Sequence, residues 1–415
     1  MKLIYDTALF FFSRGLQTFK RASPKITALV NGREGLFIKL AEFRIKNPGK
    51  LAWFHVASLG EYEQAKPVIQ ELKKRFPDFK VVVSFFSPSG YEYAIKRPQE
   101  NVDYITYLPF DTRSKAKKFM AALKPDIGLF VKYDLWANHI LEAKKRRIPL
   151  FLFSASMRQN QIYFKPYGQF FKQVIHCFDH ICCQNTETQR LLQQINYHQT
   201  SVTGDTRYDR TKAIAQSPKS FPELRDFVWK KNIITVGSAW QEDMDLLIPL
   251  INESDKFKWI IAPHDIDPDK IAEWKSKINK SSQKYSELPL KPETEVLFID
   301  NIGSLSSLYQ FAKIAYVGGA FGKGLHNILE PIAYGIPVIF GKVKKSGKFP
   351  EAQISQEYGC GYSVENEQQL KNIVLELSED AHYLNSCQNA VRLVNDNIGS
   401  ASKIMDIISS KIQQS

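Results

Sequence analysis

Residues able to do acid–base or charge-stabilising chemistry recur in this chain directly after short apolar runs. His55-Val56-Ala57-Ser58-Leu59-Gly60-Glu61 closes the first such run, so Glu61 stands where a strand gives way to a helix. A carboxylate there serves either as a general base or as a first-turn acid that complements the helix dipole. The helix amino end is expected to hold its pKa low, which opposes strong basicity at neutral pH. Lys132-Tyr133-Asp134-Leu135-Trp136 sets a cation and an anion two residues apart after the run ending at Val131. In Thr203-Gly204-Asp205-Thr206-Arg207-Tyr208-Asp209, Arg207 can grip a carboxylate or phosphate with both arms of its guanidinium, or simply pair with Asp205 or Asp209. Ala262-Pro263-His264-Asp265 and Asp300-Asn301-Ile302-Gly303-Ser304 end two further runs. His264, Asp265 and Asp267 find no second ligand group at metal-like spacing, so no metal site is expected.

The run Val317-Gly318-Gly319-Ala320-Phe321-Gly322-Lys323-Gly324 invites a phosphate-loop reading and fails it. Three residues, not four, separate Gly318 from Gly322, and Gly324 follows the lysine where Ser or Thr belongs. A dinucleotide fingerprint begun at Gly322 and Gly324 needs glycine at Asn327. What remains is a loop of close backbone approach leading into His326-Asn327-Ile328-Leu329-Glu330-Pro331. Pro331 suits the first turn of a helix, which puts Glu330 beside an amino end whose N–H groups suit a phosphate. The Glu330 carboxylate can accept both hydroxyls of a ribose; the alternative makes Glu330 a helix cap and Asn327 a turn residue.

The elements that must position these groups alternate along the chain. Apolar runs at 51–57, 81–86, 127–131, 150–153, 180–183 and 201–203 are separated mostly by amphipathic segments such as the one carrying Ala65, Val68, Ile69 and Leu72. A second series occupies 233–236, 259–262, 296–299, 314–317, 338–340 and 361–364. Continuous apolar strands alternating with helices predict parallel sheets covered on both faces. Six strands followed by six more predict an α/β chain of two Rossmann-like domains, 51–210 and 211–395, with 205–230 as the connection. An amino-terminal segment, 1–50, precedes them, and a carboxy-terminal helix, 396–415, ends the chain. Ligands of such sheets bind beyond the strands' carboxyl ends, so two facing domains place a ligand in the cleft they share.

A chain of 415 residues, 44% hydrophobic and 24% charged, has ample material for full cores and is not disordered. Its five cysteines form no CxxC pair, which argues against a disulfide scaffold or structural zinc and for a reducing compartment. The net charge of +13 favours polyanionic partners. Ten basic side chains against three acidic ones in residues 1–50 supply +7 of that surplus. The same segment carries Ile4, Ala8, Phe11, Phe12, Leu16 and Phe19 on one helical face, broken by Asp6 and Arg14. It is too short in apolar length to span a bilayer and has no cleavage-site pattern. An apolar helix face beside a basic cluster suits an anionic membrane surface; the alternative is a first helix packed on its own domain. Charge concentrated at one end does not suit a nucleic-acid groove.

Together these segments resemble the 3-deoxy-D-manno-octulosonic acid (Kdo) transferases that glycosylate lipid A precursors. The resemblance runs from the basic apolar amino end through His55–Glu61, Pro88-Ser89-Gly90, Leu108-Pro109-Phe110-Asp111, Asp134-Leu135-Trp136 and Ser154-Ala155-Ser156-Met157-Arg158. It continues through Gln184-Asn185, Thr203–Asp209, and Gly318-Gly319 to Glu330. It implies the GT-B fold, a CMP-Kdo donor, a lipid A precursor (lipid IVA) as acceptor, no metal or other cofactor, no nucleic acid, and work at the cytoplasmic face of the inner membrane. It further implies Glu61 as catalytic base, Lys132 and Arg207 as transition-state stabilisers, and a donor nucleotide against Pro263, His264, Ile302, Gly303, Ser304, Asn327, Ile328, Leu329 and Glu330. Lys132 stands where many members carry a carboxylate, which suits a clamp on phosphate or carboxylate instead. A GT-B enzyme using another nucleotide sugar, such as a UDP-hexosamine, is the nearest alternative.

Overall fold

The computed structural model describes residues 1–19, 21–344 and 348–412; Lys20 and residues 413–415 of the tail lie outside the described residues. The chain forms two compact units, Met1–Arg210 with Gly399–Ser415, and Thr211–Ile398.

The first unit is built on a parallel sheet of seven strands: β1 (Leu51–Val56), β2 (Lys80–Phe85), β3 (Tyr104–Tyr107), β4 (Ile127–Val131), β5 (Leu150–Ala155), β6 (His180–Cys183) and β7 (Thr200–Val202). Their order is β3-β2-β1-β4-β5-β6-β7. Six strands were expected; β3 is the seventh, a four-residue strand paired to β2 from Val82↔Tyr104 to Phe85↔Tyr107. Alternate residues of the central strands feed two cores. Trp53, Val82, Phe130, Leu150 and Leu152 enter one; Phe54, Val56, Val83, Leu129 and Phe151 enter the other. Side chains buried on both faces leave no polar alternation, which is why these strands read as unbroken apolar runs.

Four helices at the amino end bear on the site: α1 (Lys2–Thr18), α2 (Pro24–Asn31), α3 (Leu36–Lys46) and α4 (Leu59–Arg75). The carboxy-terminal helix Ser400–Ile412 belongs to the first unit, burying Ala401, Ile404, Met405 and Ile408 in the core that α4 shares. Asp209 fixes its start: one carboxylate oxygen accepts from Gly399 N–H at 2.6 Å and the other from Ala401 N–H at 2.9 Å. The segment expected to be a connection therefore opens as the helix Thr206–Gln216, and its Asp209 caps the carboxy-terminal helix.

The second unit repeats the plan with β8 (Ile233–Ala239), β9 (Lys258–Pro263), β10 (Ser282–Lys284), β11 (Val296–Phe298), β12 (Ile314–Val317), β13 (Val338–Gly341) and β14 (Gly361–Val364). The order is β10-β11-β9-β8-β12-β13-β14, all parallel. Here too a seventh strand appears, the three-residue polar edge strand β10. In each sheet the chain fills one side of its first strand, in the second with β11 returning between β9 and the edge strand β10, then crosses back to begin the other half. The crossing lies between β1 and β4 in one sheet and between β8 and β12 in the other. These topological switch points are where an open α/β sheet leaves a crevice at its carboxyl edge.

Candidate active site

At the first switch point, Ser58 caps α4 in an extended conformation and its Oγ accepts from Glu61 N–H at 3.4 Å. Glu61 Oε2 in turn accepts from Ala57 N–H at 2.6 Å. This near-reciprocal lock, a variation on the capping box, fixes the carboxylate at the end of β1, where it is only 8% exposed. Its pKa is pushed up to about 7, first by burial and then by Asp134, against the pull of Ala57 N–H and Lys132. The expectation that the helix end would hold it low is overturned. Moving a carboxyl from 4.5 to about 7 corresponds to roughly 3 kcal/mol, while a helix terminus supplies only ~0.3–1 kcal/mol.

Lys132 and Asp134 come from the turn after β4. Lys132 holds a left-handed backbone, φ 61°, which costs roughly 1 kcal/mol for a residue with a Cβ. Its N–H is tied to Phe153 O at 3.0 Å. Asp134 is also pushed above the ordinary carboxylate range by burial, offset by Lys132. The turn is held from both sides: Tyr163 OH donates to Tyr133 O at 3.1 Å, and Trp136 stacks on Phe86 at 4.3 Å. Beneath it His55 is fully buried, with Nδ1 3.0 Å from Ser84 Oγ, and burial drives its pKa down to about 3. His55 is thus a neutral structural ring. The structure brings Glu61, Lys132 and Asp134 into one electrostatic group, of which Asp134 had no assigned role in the sequence.

Arg207 opens the helix Thr206–Gln216, joined to the end of β5 by the Thr206 and Ser154 hydroxyls at 2.9 Å. Its Nε and Nη2 lie 2.8 and 2.7 Å from Asp205 Oδ2. Arg207 is thus paired with Asp205 within the first unit.

At the second switch point the groups are rings. Trp240 follows β8, His264 follows β9 and His326 follows the glycine loop after β12. Trp240 and His264 stack at 4.3 Å, His264 and His326 lie 4.4 Å apart, and Trp240 Nε1–H donates to His326 Nε2 at 3.0 Å. Accepting that bond keeps His326 neutral, and burial beside His264 lowers its pKa to about 4. Asp243 pins the glycine loop, accepting from Gly319 N–H at 2.9 Å, Trp240 N–H at 3.0 Å and Tyr316 OH at 3.0 Å. A Cβ on Gly318 would sit 2.4 Å from Asp243 Oδ2, which explains the glycine without any phosphate motif. Nothing local in the sequence marked Trp240 or Asp243.

Asn327 organises the next turn. Its Oδ1 accepts from Leu329 N–H at 3.2 Å and its Nδ2 donates to Glu330 Oε1 at 3.1 Å, at the start of the short helix Leu329–Ala333. Ile328 and Leu329 are buried. Pro263 ends β9. Ile302 is 70% exposed, Gly303 O accepts from Lys219 Nζ at 2.7 Å, and Ser304 Oγ donates to Asn301 Oδ1 at 2.6 Å.

A family model described as 3-deoxy-D-manno-octulosonic-acid transferase (kdotransferase) matches residues 33–210. The chain is 28% identical over 327 residues to a 3-deoxy-D-manno-octulosonic acid transferase of Chlamydophila psittaci, covering 76% of this chain and 75% of that one. It is 28% identical over 343 residues to the enzyme of that name from Aquifex aeolicus, covering 80% and 87%. Among solved structures, the UDP-GlcNAc 2-epimerase of Neisseria meningitidis superposes with a TM-score of 0.62 at 17% identity, over 88% of this chain and 100% of that one. That likeness establishes the fold, GT-B.

Proposed function

We infer that this chain belongs with the 3-deoxy-D-manno-octulosonic acid transferases it matches, and that it is a CMP-Kdo-dependent glycosyltransferase of lipopolysaccharide biosynthesis. Glu61 is our base. It takes the proton of the acceptor hydroxyl as that oxygen bonds to the anomeric carbon of Kdo; the bond from that carbon to the phosphate oxygen breaks, and CMP leaves with the electron pair. The observation that carries this assignment is a buried carboxyl, poised at about 7, at the switch point of the matched unit. A pKa near the working pH is what a general base needs. Lys132 and Arg207 offset the negative charge of the Kdo carboxylate and departing phosphate with side-chain cations rather than a divalent metal. In the second unit we assign the CMP moiety to Pro263, His264, the Ile302–Ser304 turn and Asn327–Glu330, with Glu330 on the ribose hydroxyls.

We further propose a lipid A precursor as acceptor and an anionic membrane surface, the cytoplasmic face of the inner membrane, as the place of work. The seating of α1 supports this. Its inner face is fastened by Tyr5 OH to Asp111 at 2.6 Å, Asn138 Nδ2 to Asp6 at 2.9 Å and Arg113 to Asp6 at 2.7 Å. Those bonds turn Leu3, Ile4, Phe10, Phe11 and Phe12 outward, each about half exposed or more. An apolar face held toward solvent among basic residues suits the headgroup boundary of a bilayer. Among the described residues no helix is long and apolar enough to cross a membrane. Four of the five free cysteines are buried, which accords with a reducing compartment.

The test incubates the full chain with CMP-Kdo and a tetraacylated, bisphosphorylated disaccharide lipid and follows product mass. Increments of one or more Kdo units are expected, with CMP released in equal number and the protein cosedimenting with phosphatidylglycerol vesicles. An unmodified lipid would overturn the acceptor assignment. Transfer from a UDP-hexosamine instead would favour the other donor class.

A further inference from the structure

A cavity of about 310 Å³ opens beside the amino-terminal helices, lined by Gln17, Arg33, Glu34, Phe37, Phe110 and Lys115 among others. Two of these side chains are cations of unusual setting. The Arg33 guanidinium lies over the rings of Phe86, Tyr107 and Phe110 at 5.1, 4.7 and 4.8 Å. It donates to the carbonyls of Leu29, Leu108 and Phe86, so its hydrogen bonds go to neutral acceptors rather than to a carboxylate. Lys115 Nζ lies over the same Phe110 ring at 4.8 Å. It is half-buried, and the charge acting on it is the repulsion of Arg33. Glu34, the carboxylate among the lining residues named here, is exposed at the rim. Two partly dehydrated cations around one hole attract an anion.

The position of the hole says which anion. Phe110 follows β3, Phe86 follows β2, and Phe86 stacks on Trp136, two residues beyond Asp134. The cavity therefore lies along the same carboxyl edge as Glu61. On its other side Phe12 of α1 meets Phe110 edge-on at 6.5 Å, and Gln17 of α1 lines the wall. The outward apolar face of α1 thus begins where the cationic cavity ends. We propose that this cavity is a subsite for a phosphate of the lipid acceptor, with the acceptor's acyl chains lying against the outward face of α1. The inference rests on the lipid-acceptor reading above and deepens it. An anionic group joined to hydrocarbon, with a hydroxyl presented farther along the same edge, matches all three features at once.

Lys115 is the residue to change, because Arg33 ties three stretches of backbone together and its loss would disturb the fold. Lys115→Met keeps the stem on Phe110 and removes the charge; Lys115→Arg restores it. With CMP-Kdo and the bisphosphorylated lipid, Lys115→Met is expected to raise the acceptor KM about tenfold, the scale of one lost charge-assisted hydrogen bond, with little change in kcat or in the KM for CMP-Kdo. Lys115→Arg should recover most of the loss, and a dephosphorylated acceptor should not distinguish Lys115→Met from the parent. Equal effects on both acceptors would overturn the subsite, as would a loss confined to binding of acceptor-free phosphatidylglycerol vesicles, which would assign the cavity to bulk lipid headgroups. Titration of the bisphosphorylated lipid in detergent, without donor, reads the subsite separately from turnover. Unchanged affinity of Lys115→Met there refutes it, whereas absent turnover with a tenfold affinity difference would indict the proposed reaction instead.

Discussion

Glu61 and Asp243 occupy the same place in the two units: each is the third residue of the helix that follows the first strand of its sheet. Both are buried, and burial pushes both pKa values up. Their bonding differs. Asp243 accepts from the N–H of its own helix cap, Trp240, from the Gly319 N–H and from the Tyr316 hydroxyl, and those bonds pull back toward the ionised form. Glu61 accepts from the Ala57 N–H, with a weaker pull from the Ser58 backbone, and faces a second carboxylate, Asp134. A carboxylate saturated with donors is a structural post, while one left under-bonded in a dry setting can exchange a proton. One plan of strand, turn and helix has yielded a fastening in one unit and a reactive group in the other.

The sharpest way to break this comparison is to neutralise both acids. Glu61→Gln is expected to lower turnover by about 10²–10⁴, the range for loss of a general base, with CMP affinity intact by titration. The same change should stabilise the fold above neutrality. Glu61 binds its proton more tightly folded than unfolded, so its ionisation subtracts stability as pH rises from 4.5 to about 7. Glu61→Gln should therefore unfold at a higher temperature than the parent at pH 8 and at the same temperature at pH 4. Full turnover in the variant would end the base assignment.

Asp243→Asn is expected to do the reverse. Its new amide must point at one of three donors, leaving a buried N–H or O–H without an acceptor at a cost of ~1–3 kcal/mol. Urea unfolding should show that loss, and CMP affinity should fall as the Gly318-Gly319 turn and the Trp240–His326 pair relax. Stability and CMP binding both equal to the parent would show that Asp243 is no post.

The sheets were legible because their central strands are buried on both faces, so apolar β-branched runs announced them. β10 escaped because Ser282-Gln283-Lys284 carries no apolar signal, and β3 because Ile105 is the one aliphatic residue in Tyr104-Ile105-Thr106-Tyr107. The motifs around Glu61, Lys132 and Arg207 were legible because chemistry at a strand end is a local arrangement. The ring cluster was not: Trp240 meets His326 across 86 residues of sequence, and Asp243 meets Gly319 across 76. Glu61's proton affinity failed for the same reason. The helix end that should lower it is adjacent in sequence, whereas the burial and the Asp134 charge that raise it are brought in by the fold.

The finest probe of the comparison leaves both acids in place and alters what Glu61 faces. Asp134 raises the proton affinity of Glu61 and Lys132 lowers it, each second to burial or weaker. Asp134→Asn removes a negative neighbour, so Glu61 ionises more readily and the acidic limb of the kcat/KM profile should move to lower pH. Lys132→Met removes a positive neighbour, and the limb should move to higher pH beneath whatever rate is lost with the cation. Through a partly screened site each displacement should be roughly half to one pH unit, shrinking in high salt. At Asp243 the neighbouring charge, that of Glu242, acts less than burial and the three hydrogen bonds, so changes of charge should tune it less. Opposite displacements of the limb would therefore mark Glu61 as the titrating group; displacements of one sign, or none, would mean the limb belongs to another residue.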